Sequence, residues 1–405
     1  MKKIISLMLM VILVLAMAIP VFADEADTGV VADYEYDPVT GRITGMYMTE
    51  EAYKTEKPLV NTYLDVADGD HLVGSNKISV NVEEGEHQVL VYANGKLVGT
   101  YKVVAEAAKV EPIIRVAGQD RYGTAFAACD ELKAKLKVSQ FDTVVIACGT
   151  NFADALSGTY LAGIKNAPIL LVNPATEAKV IETVNKDLKK GGTVYLLGGE
   201  LVVSKNVETA LAAKGFSVKR LAGKDRYGTN LAILKEAGVK SGEILVCSGA
   251  SYADSLSASS VGKPIFLVGK ELTADQVNYL GTLGTTKFDI VGGNFAVVPK
   301  VESDLKKYGE TERVAGQTRF DTSVEVAKKF FPGNRGTAVL AYAMDFPDGL
   351  SGGSLGVAYK APILLVTNTN YKAAAAYTKA AGVKTVIIMG GTLRISDDTA
   401  KACLA

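Results

Sequence analysis

Three times along this chain, two arginines flank a glycine turn: Arg115 and Arg121, Arg220 and Arg226, Arg313 and Arg319. A guanidinium offers a planar fork of N–H donors that matches phosphate or carboxylate bidentately. A carboxylate follows each pair: Asp154 in Asn151-Phe-Ala-Asp-Ala-Leu-Ser-Gly158, Asp254 in Ser251-Tyr-Ala-Asp-Ser-Leu-Ser-Ala258, and Asp348 in Asp345-Phe-Pro-Asp-Gly-Leu-Ser-Gly352. These nine residues form the candidate ligand-binding set. Their chemistry is recognition of an anion. The alternative is structural: the arginines pin their turns to a local Asp, and the carboxylates cap helices.

Bond-making chemistry has little material. The two histidines, His71 and His87, lie outside the segments that carry these motifs, so those segments hold no histidine triad and no His-ligated zinc. No P-loop and no Gly-x-Gly-x-x-Gly fingerprint occurs, so no nucleotide or other cofactor is expected. On paper Asp154 with Asp120 could act as the carboxylate pair of a hydrolase. The four cysteines (Cys129, Cys148, Cys247, Cys403) do not occupy equivalent positions and read as buried free thiols.

The elements that must position these residues repeat with them. Arg115-Val-Ala-Gly-Gln-Asp-Arg-Tyr-Gly-Thr124 returns as Arg220-Leu-Ala-Gly-Lys-Asp-Arg-Tyr-Gly-Thr229 and as Arg313-Val-Ala-Gly-Gln-Thr-Arg-Phe-Asp-Thr322. Downstream, Ala167-Pro-Ile-Leu-Leu-Val172 matches Lys263-Pro-Ile-Phe-Leu-Val268 and Ala361-Pro-Ile-Leu-Leu-Val366, and Leu197-Gly-Gly199 matches Val291-Gly-Gly293 and Met389-Gly-Gly391. Within each copy, apolar runs suited to strands buried on both faces alternate with helical periodicity, which predicts a parallel sheet covered by helices. Asp120, Asp225 and Thr318 stand where helix N-caps belong. The Gly-Gly pairs close core strands on the edge where open α/β sheets bind ligands.

Together these blocks resemble the cell wall binding repeat 2 family of Gram-positive surface proteins, over residues 111 to 405. The resemblance implies three tandem Rossmann-like modules in a pseudo-threefold arrangement. It implies non-covalent attachment to an anionic secondary wall polymer, with the Ile-Leu-Leu block associated with that role. That block falls on Ile169, Leu170 and Leu171, on Ile265, Phe266 and Leu267, and on Ile363, Leu364 and Leu365. Phe266, Thr318 and Phe320 depart from the family pattern.

The expected organisation is a signal peptide (residues 1–23), an acidic segment with a small antiparallel β module (24–110), and repeats at 111–215, 216–310 and 311–405. Lys2 and Lys3, the apolar run from Ile4 to Ile19 and the small residues before Asp24 fit secretion to the cell surface. The apolar run is short of what a spanning helix needs and no later stretch is apolar enough to span a membrane, so no membrane insertion is expected once the run is removed. Residues 24–110 carry 7 Lys+Arg against 16 Asp+Glu, whereas 111–405 carry 35 against 28. The basic body suits an anionic wall polysaccharide, with no nucleic acid partner. The β module is expected from about Pro58 to Ala105, with a hairpin at Asn94-Gly95. The acidic, Tyr-rich residues 24–57 are expected to be partly ordered at best, and the module's partner is unspecified. The leading expectation is a wall-anchored protein that is not an enzyme. The competing readings are a wall-glycan-acting enzyme or modifier of a wall hydrolase, and a small-ligand or nucleotide binder.

Overall fold

The computed structural model describes residues 112–333 and 336–404 in full, and the course of seven strands between residues 29 and 105. The chain divides into two units, Met1–Val110 and Glu111–Ala405. The expected signal peptide lies outside the described residues.

The first unit is antiparallel. Strands β1 (Gly29–Asp37), β2 (Arg42–Thr49) and β5 (Lys77–Asn81) form one sheet in the order β1-β2-β5. Strands β3 (Thr62–Val66), β4 (His71–Val73), β6 (Gly85–Ala93) and β7 (Lys96–Ala105) form another in the order β4-β3-β6-β7. Ala93 pairs with Lys96, the register that the Asn94-Gly95 hairpin requires. Strands β1 and β2 lie in the segment for which partial order at best is expected. Tyr34 and Tyr36 alternate with Asp33, Glu35 and Asp37, and Ile43 stands between Arg42 and Thr44, a spacing that strands accept despite the acidic composition.

The second unit contains three four-stranded parallel sheets. Its strands are β8 (Ile113–Val116), β9 (Phe141–Cys148), β10 (Ile169–Val172), β11 (Leu188–Leu197), β12 (Ser217–Leu221), β13 (Gly242–Ser248), β14 (Ile265–Val268), β15 (Thr286–Val291), β16 (Glu310–Val314), β17 (Thr337–Tyr342), β18 (Ile363–Val366) and β19 (Thr385–Met389). The sheet orders are β10-β9-β11-β12, β14-β13-β15-β16 and β18-β17-β19-β8. The central strands are almost wholly buried, as their uninterrupted apolar sequences demand.

The opening strand of a repeat does not join that repeat's own sheet. Strand β12, which carries Arg220, completes the first sheet, and β16, which carries Arg313, completes the second. The third sheet is completed by β8, the first strand of the unit, with Ile388 opposite Arg115. The three modules therefore close into a ring through strand pairing.

The short helices that begin with the Phe-Ala-Asp block meet where the modules join. Leu156, Leu256 and Leu350 are fully buried there. One turn further on, Gly353 faces Thr159 and Ser259 so closely that a Cβ on it would lie 2.6 Å from Thr159 Cγ2 and 2.8 Å from Ser259 Oγ. These equivalent positions mark a pseudo-threefold axis.

Candidate functional site

The N-caps fall where the sequence placed them. Asp120 Oδ1 accepts from the amides of Tyr122 (2.9 Å) and Gly123 (2.8 Å), and Asp225 does the same for Tyr227 and Gly228. Thr318 and Asp321 form a capping box. Gly118 lets the preceding turn lie on this helix start, since a Cβ there would sit 2.2 Å from the Gly123 carbonyl carbon.

The two arginines of each pair have different fates. Arg115 donates to Gly390 O (2.8 Å) and Ile395 O (3.0 Å) and pairs with Asp397. Arg220 donates to Gly198 O and Val203 O (both 2.9 Å) and pairs with Glu208. Arg313 donates to Gly292 O (2.7 Å) and Val297 O (3.1 Å) and pairs with Glu302. These three forks are engaged within the chain. Their acidic partners sit on the last helix of the module whose sheet each arginine completes, the third module in the case of Arg115, and not at the local Asp that the structural alternative invoked.

The second arginines gather at the axis. Phe152, Tyr252 and Phe346, at equivalent positions, pack together with centroids 6.1, 5.8 and 5.5 Å apart, Phe152 edge to face with each of the others and Tyr252 tilted against Phe346. Arg121 lies over Phe346, Arg226 over Phe152 and Arg319 over Tyr252, at 5.9, 5.4 and 5.4 Å. Each stacks on the ring of the module before it. Nη1 of Arg121 donates to Gly149 O (2.7 Å), that of Arg226 to Gly249 O, and that of Arg319 to Ala343 O (2.7 Å) and Tyr252 Oη. Among the described residues only Nη1 makes a hydrogen bond in each case, so Nε and Nη2 keep donors for a ligand.

The carboxylates face these arginines across the module junctions. They cap no helix; the residues at those N-caps are Phe152, Tyr252 and Pro347. Asp154 instead lies against the first glycine of the Gly-Gly turn, where a Cβ on Gly198 would meet Oδ2 at 2.7 Å. Gly198 also has φ +97°, so two constraints demand glycine there. Burial pushes the Asp154 carboxyl up to about 6 against the opposing pull of Arg226. Burial does the same to Asp254, likewise to about 6, against Arg319. Asp348 accepts from Thr124 Oγ1 at 2.9 Å. Arg121 and Asp348 line a cleft of 440 Å³ with Gln119, Tyr342, Asp345 and Arg394. The resulting edge offers guanidinium donors for an anion and carboxylate acceptors for hydroxyl groups.

The Ile-Leu-Leu side chains are at most 1 % exposed in all three copies and pack inside the sheets. All four cysteines are buried and unpaired. Burial pushes the Cys129 thiol up to about 12, with Asp187 adding to the rise, and the Cys403 thiol up to about 11. Among the described residues no group of His, Cys, Asp and Glu is placed to hold a metal, and no helix is long and apolar enough to cross a membrane. The sequence reading missed the aromatic trio, whose signal was an aromatic residue before Ala or Pro in every copy of the Asp block.

The family model for cell wall binding domain 2 matches residues 115–208, 220–302 and 313–400. The chain is 28 % identical over 294 residues to the N-acetylmuramoyl-L-alanine amidase LytC of Bacillus subtilis, covering 71 % of this chain and 57 % of that protein. It is 30 % identical over 305 residues to the amidase enhancer of the same organism, covering 74 % of this chain and 41 % of that protein. The chain thus spans about half the length of the curated relatives it matches. Among solved structures, Cwp8 from Clostridium difficile matches with a TM-score of 0.64 at 23 % identity, over 88 % of this chain and 65 % of that one. Cwp6 from the same organism matches at 0.63 and 20 %, over 93 % and 68 %. At that identity the two structures speak to fold alone. Three family matches on three ring-closed modules place this chain in the cell wall binding domain 2 family.

Proposed function

We propose that the second unit holds a secreted protein on the bacterial cell wall by binding an anionic wall polymer non-covalently, without chemical conversion of it. The observation that carries this reading is the arginine ring. Arg121, Arg226 and Arg319 each stack on a neighbouring aromatic ring and keep donors open at a shared edge. Such forks suit phosphate or carboxylate groups. Asp154, Asp254 and Asp348 set the local charge and can accept from sugar hydroxyls. Three like sites on one chain raise retention on a repeating ligand without new contacts. Arg115, Arg220 and Arg313 serve this site by holding its loops. The acidic first unit is what the anchor displays.

Co-sedimentation of the full chain with Bacillus subtilis and Clostridium difficile walls tests this reading. Retention is expected on intact walls, falling as salt rises, because part of the attraction is screened. Equal retention on walls stripped of anionic polymer by acid contradicts it, as does release of soluble sugar or peptide.

A further inference from the structure

The three most exposed large apolar side chains among the described residues are Leu201, Phe295 and Leu393, at 103, 105 and 96 % exposure. They occupy one equivalent position, two residues beyond the Gly-Gly pair: Gly198-Gly199-Glu200-Leu201, Gly292-Gly293-Asn294-Phe295 and Gly390-Gly391-Thr392-Leu393. The residue before the tip varies from carboxylate to amide to hydroxyl, while the tip stays large and apolar. Single exposed leucines are ordinary. Three at one equivalent position are a pattern.

These loops are held at both ends. Arg220 bonds the carbonyls of Gly198 and Val203, on either side of Leu201. Arg313 does this for Gly292 and Val297 around Phe295, and Arg115 for Gly390 and Ile395 around Leu393. Val203, Val297 and Ile395 are themselves fully buried. The tip is thus presented to solvent by a clamped loop.

The second glycine adds an independent observation. Gly199, Gly293 and Gly391 have no left-handed φ, and a Cβ on any of them would meet nothing within 4 Å. Neither backbone conformation nor packing within the described residues calls for glycine there, yet all three copies have it. A methyl group at these positions would obstruct only something approaching the backbone from outside.

We propose that these three loops are sugar-contacting tips, in which Leu201, Phe295 and Leu393 pack on the apolar C–H face of a pyranose ring in the wall polymer while the ring's hydroxyl edge meets the backbone at the second glycine. This rests on the wall-polymer reading and separates sugar contact from charge contact. One tip per module calls for an occupant that itself repeats, as a polysaccharide does. The tips follow the carboxyl ends of β11, β15 and β19, the edge that also carries the arginine ring. Arg115, Arg220 and Arg313 are positioning residues for them.

The test compares the full chain with three triple variants: Leu201→Ser with Phe295→Ser and Leu393→Ser; Gly199→Ala with Gly293→Ala and Gly391→Ala; and Arg121→Gln with Arg226→Gln and Arg319→Gln. Each is titrated against acid-released polysaccharide from Bacillus subtilis and Clostridium difficile walls at about 50 and about 500 mM salt. The serine variant is expected to keep its melting temperature and its salt dependence and to bind about tenfold more weakly. The alanine variant is expected to weaken likewise, while the glutamine variant loses most of its salt dependence. Unchanged binding by the serine variant beside weakened binding by the glutamine variant overturns the sugar tips and leaves the wall reading intact. Failure of the unmodified chain to bind either polysaccharide removes both. Loss of binding to phosphatidylglycerol vesicles by the serine variant, with polysaccharide binding intact, assigns the tips to lipid and overturns the proposal.

Discussion

Lys329 Nζ lies 2.6 Å from Asp289 Oδ1, and the two residues belong to different modules. Asp289 is fully buried on β15, its Oδ2 has no hydrogen-bond partner among the described residues, and burial beside Glu243 pushes its carboxyl up. Glu312 also meets Lys329 at 2.6 Å. At the preceding junction the charges are exchanged: Glu236 takes the place of Lys329 and accepts from Tyr195 Oη (2.8 Å) and Lys219 (2.9 Å). At the junction that closes the ring, Glu131 accepts from Tyr359 Oη. Each junction thus has its own polar code, and the modules are not interchangeable. Lys329→Ala is expected to cost roughly 1–3 kcal/mol, because it strips a buried carboxylate of its nearest cation while Lys287, 3.7 Å away, remains. Pairing it with Asp289→Asn is expected to restore most of that. Urea denaturation of both variants checks it.

Asp154 and Asp254 set a pH dependence. Their carboxyls rise from an ordinary value of 3.8 to about 6 in the folded chain. A group harder to ionise when folded stabilises the fold while protonated. That contribution is complete below pH 3.8 and is lost as pH rises through about 6. Asp154→Asn with Asp254→Asn is therefore expected to raise the melting temperature near neutral pH and leave it little changed in mild acid. Thermal scans across this range test the sign.

The same titration bears on polymer binding. Neutral Asp154 and Asp254 leave Arg226 and Arg319 less compensated, so retention on wall polysaccharide is expected to strengthen as pH falls through about 6. The double Asn variant is expected to bind at neutral pH as the unmodified chain does in mild acid. Titration calorimetry at both pH values reads this.

Replacing Arg121, Arg226 and Arg319 by Lys keeps the charge and removes the planar fork. Binding to wall polysaccharide is expected to fall about tenfold, with a salt dependence close to that of the parent. Equal affinity would mean that point charge alone suffices.

Gly353 tests the axis. Valine there would meet Thr159 and Ser259 at less than contact distance. Overpacking of this kind is expected to cost about 1–3 kcal/mol. A melting temperature that stays put would show that the junction can spread.

Much of the fold was legible because buried parallel strands are written as unbroken apolar runs, such as Val144 to Cys148 and Ile363 to Val366. The caps at Asp120, Asp225 and Thr318 were legible too, since capping is local. Ring closure was not, because β8 and β19 are neighbours only in space and Ile113 gives no sign of pairing with Val386. The division of labour between Arg115 and Arg121 was hidden for the same reason: the partners of Arg115 stand at the far end of the unit, at Gly390 and Asp397. Leu201 was invisible as a candidate because an apolar residue near a core strand reads as packing until its exposure is known.

Strand β8 does more than complete a sheet. Everything before Ile113 hangs from its amino end, while the loops proposed to grip the wall lie at the carboxyl ends of the same parallel strands. In a wall-held molecule, drag on the leading unit enters at one end of β8 and is resisted from the other. A pull directed along the strand would load the bonds between β8 and β19 together in shear instead of opening them one after another like a zip.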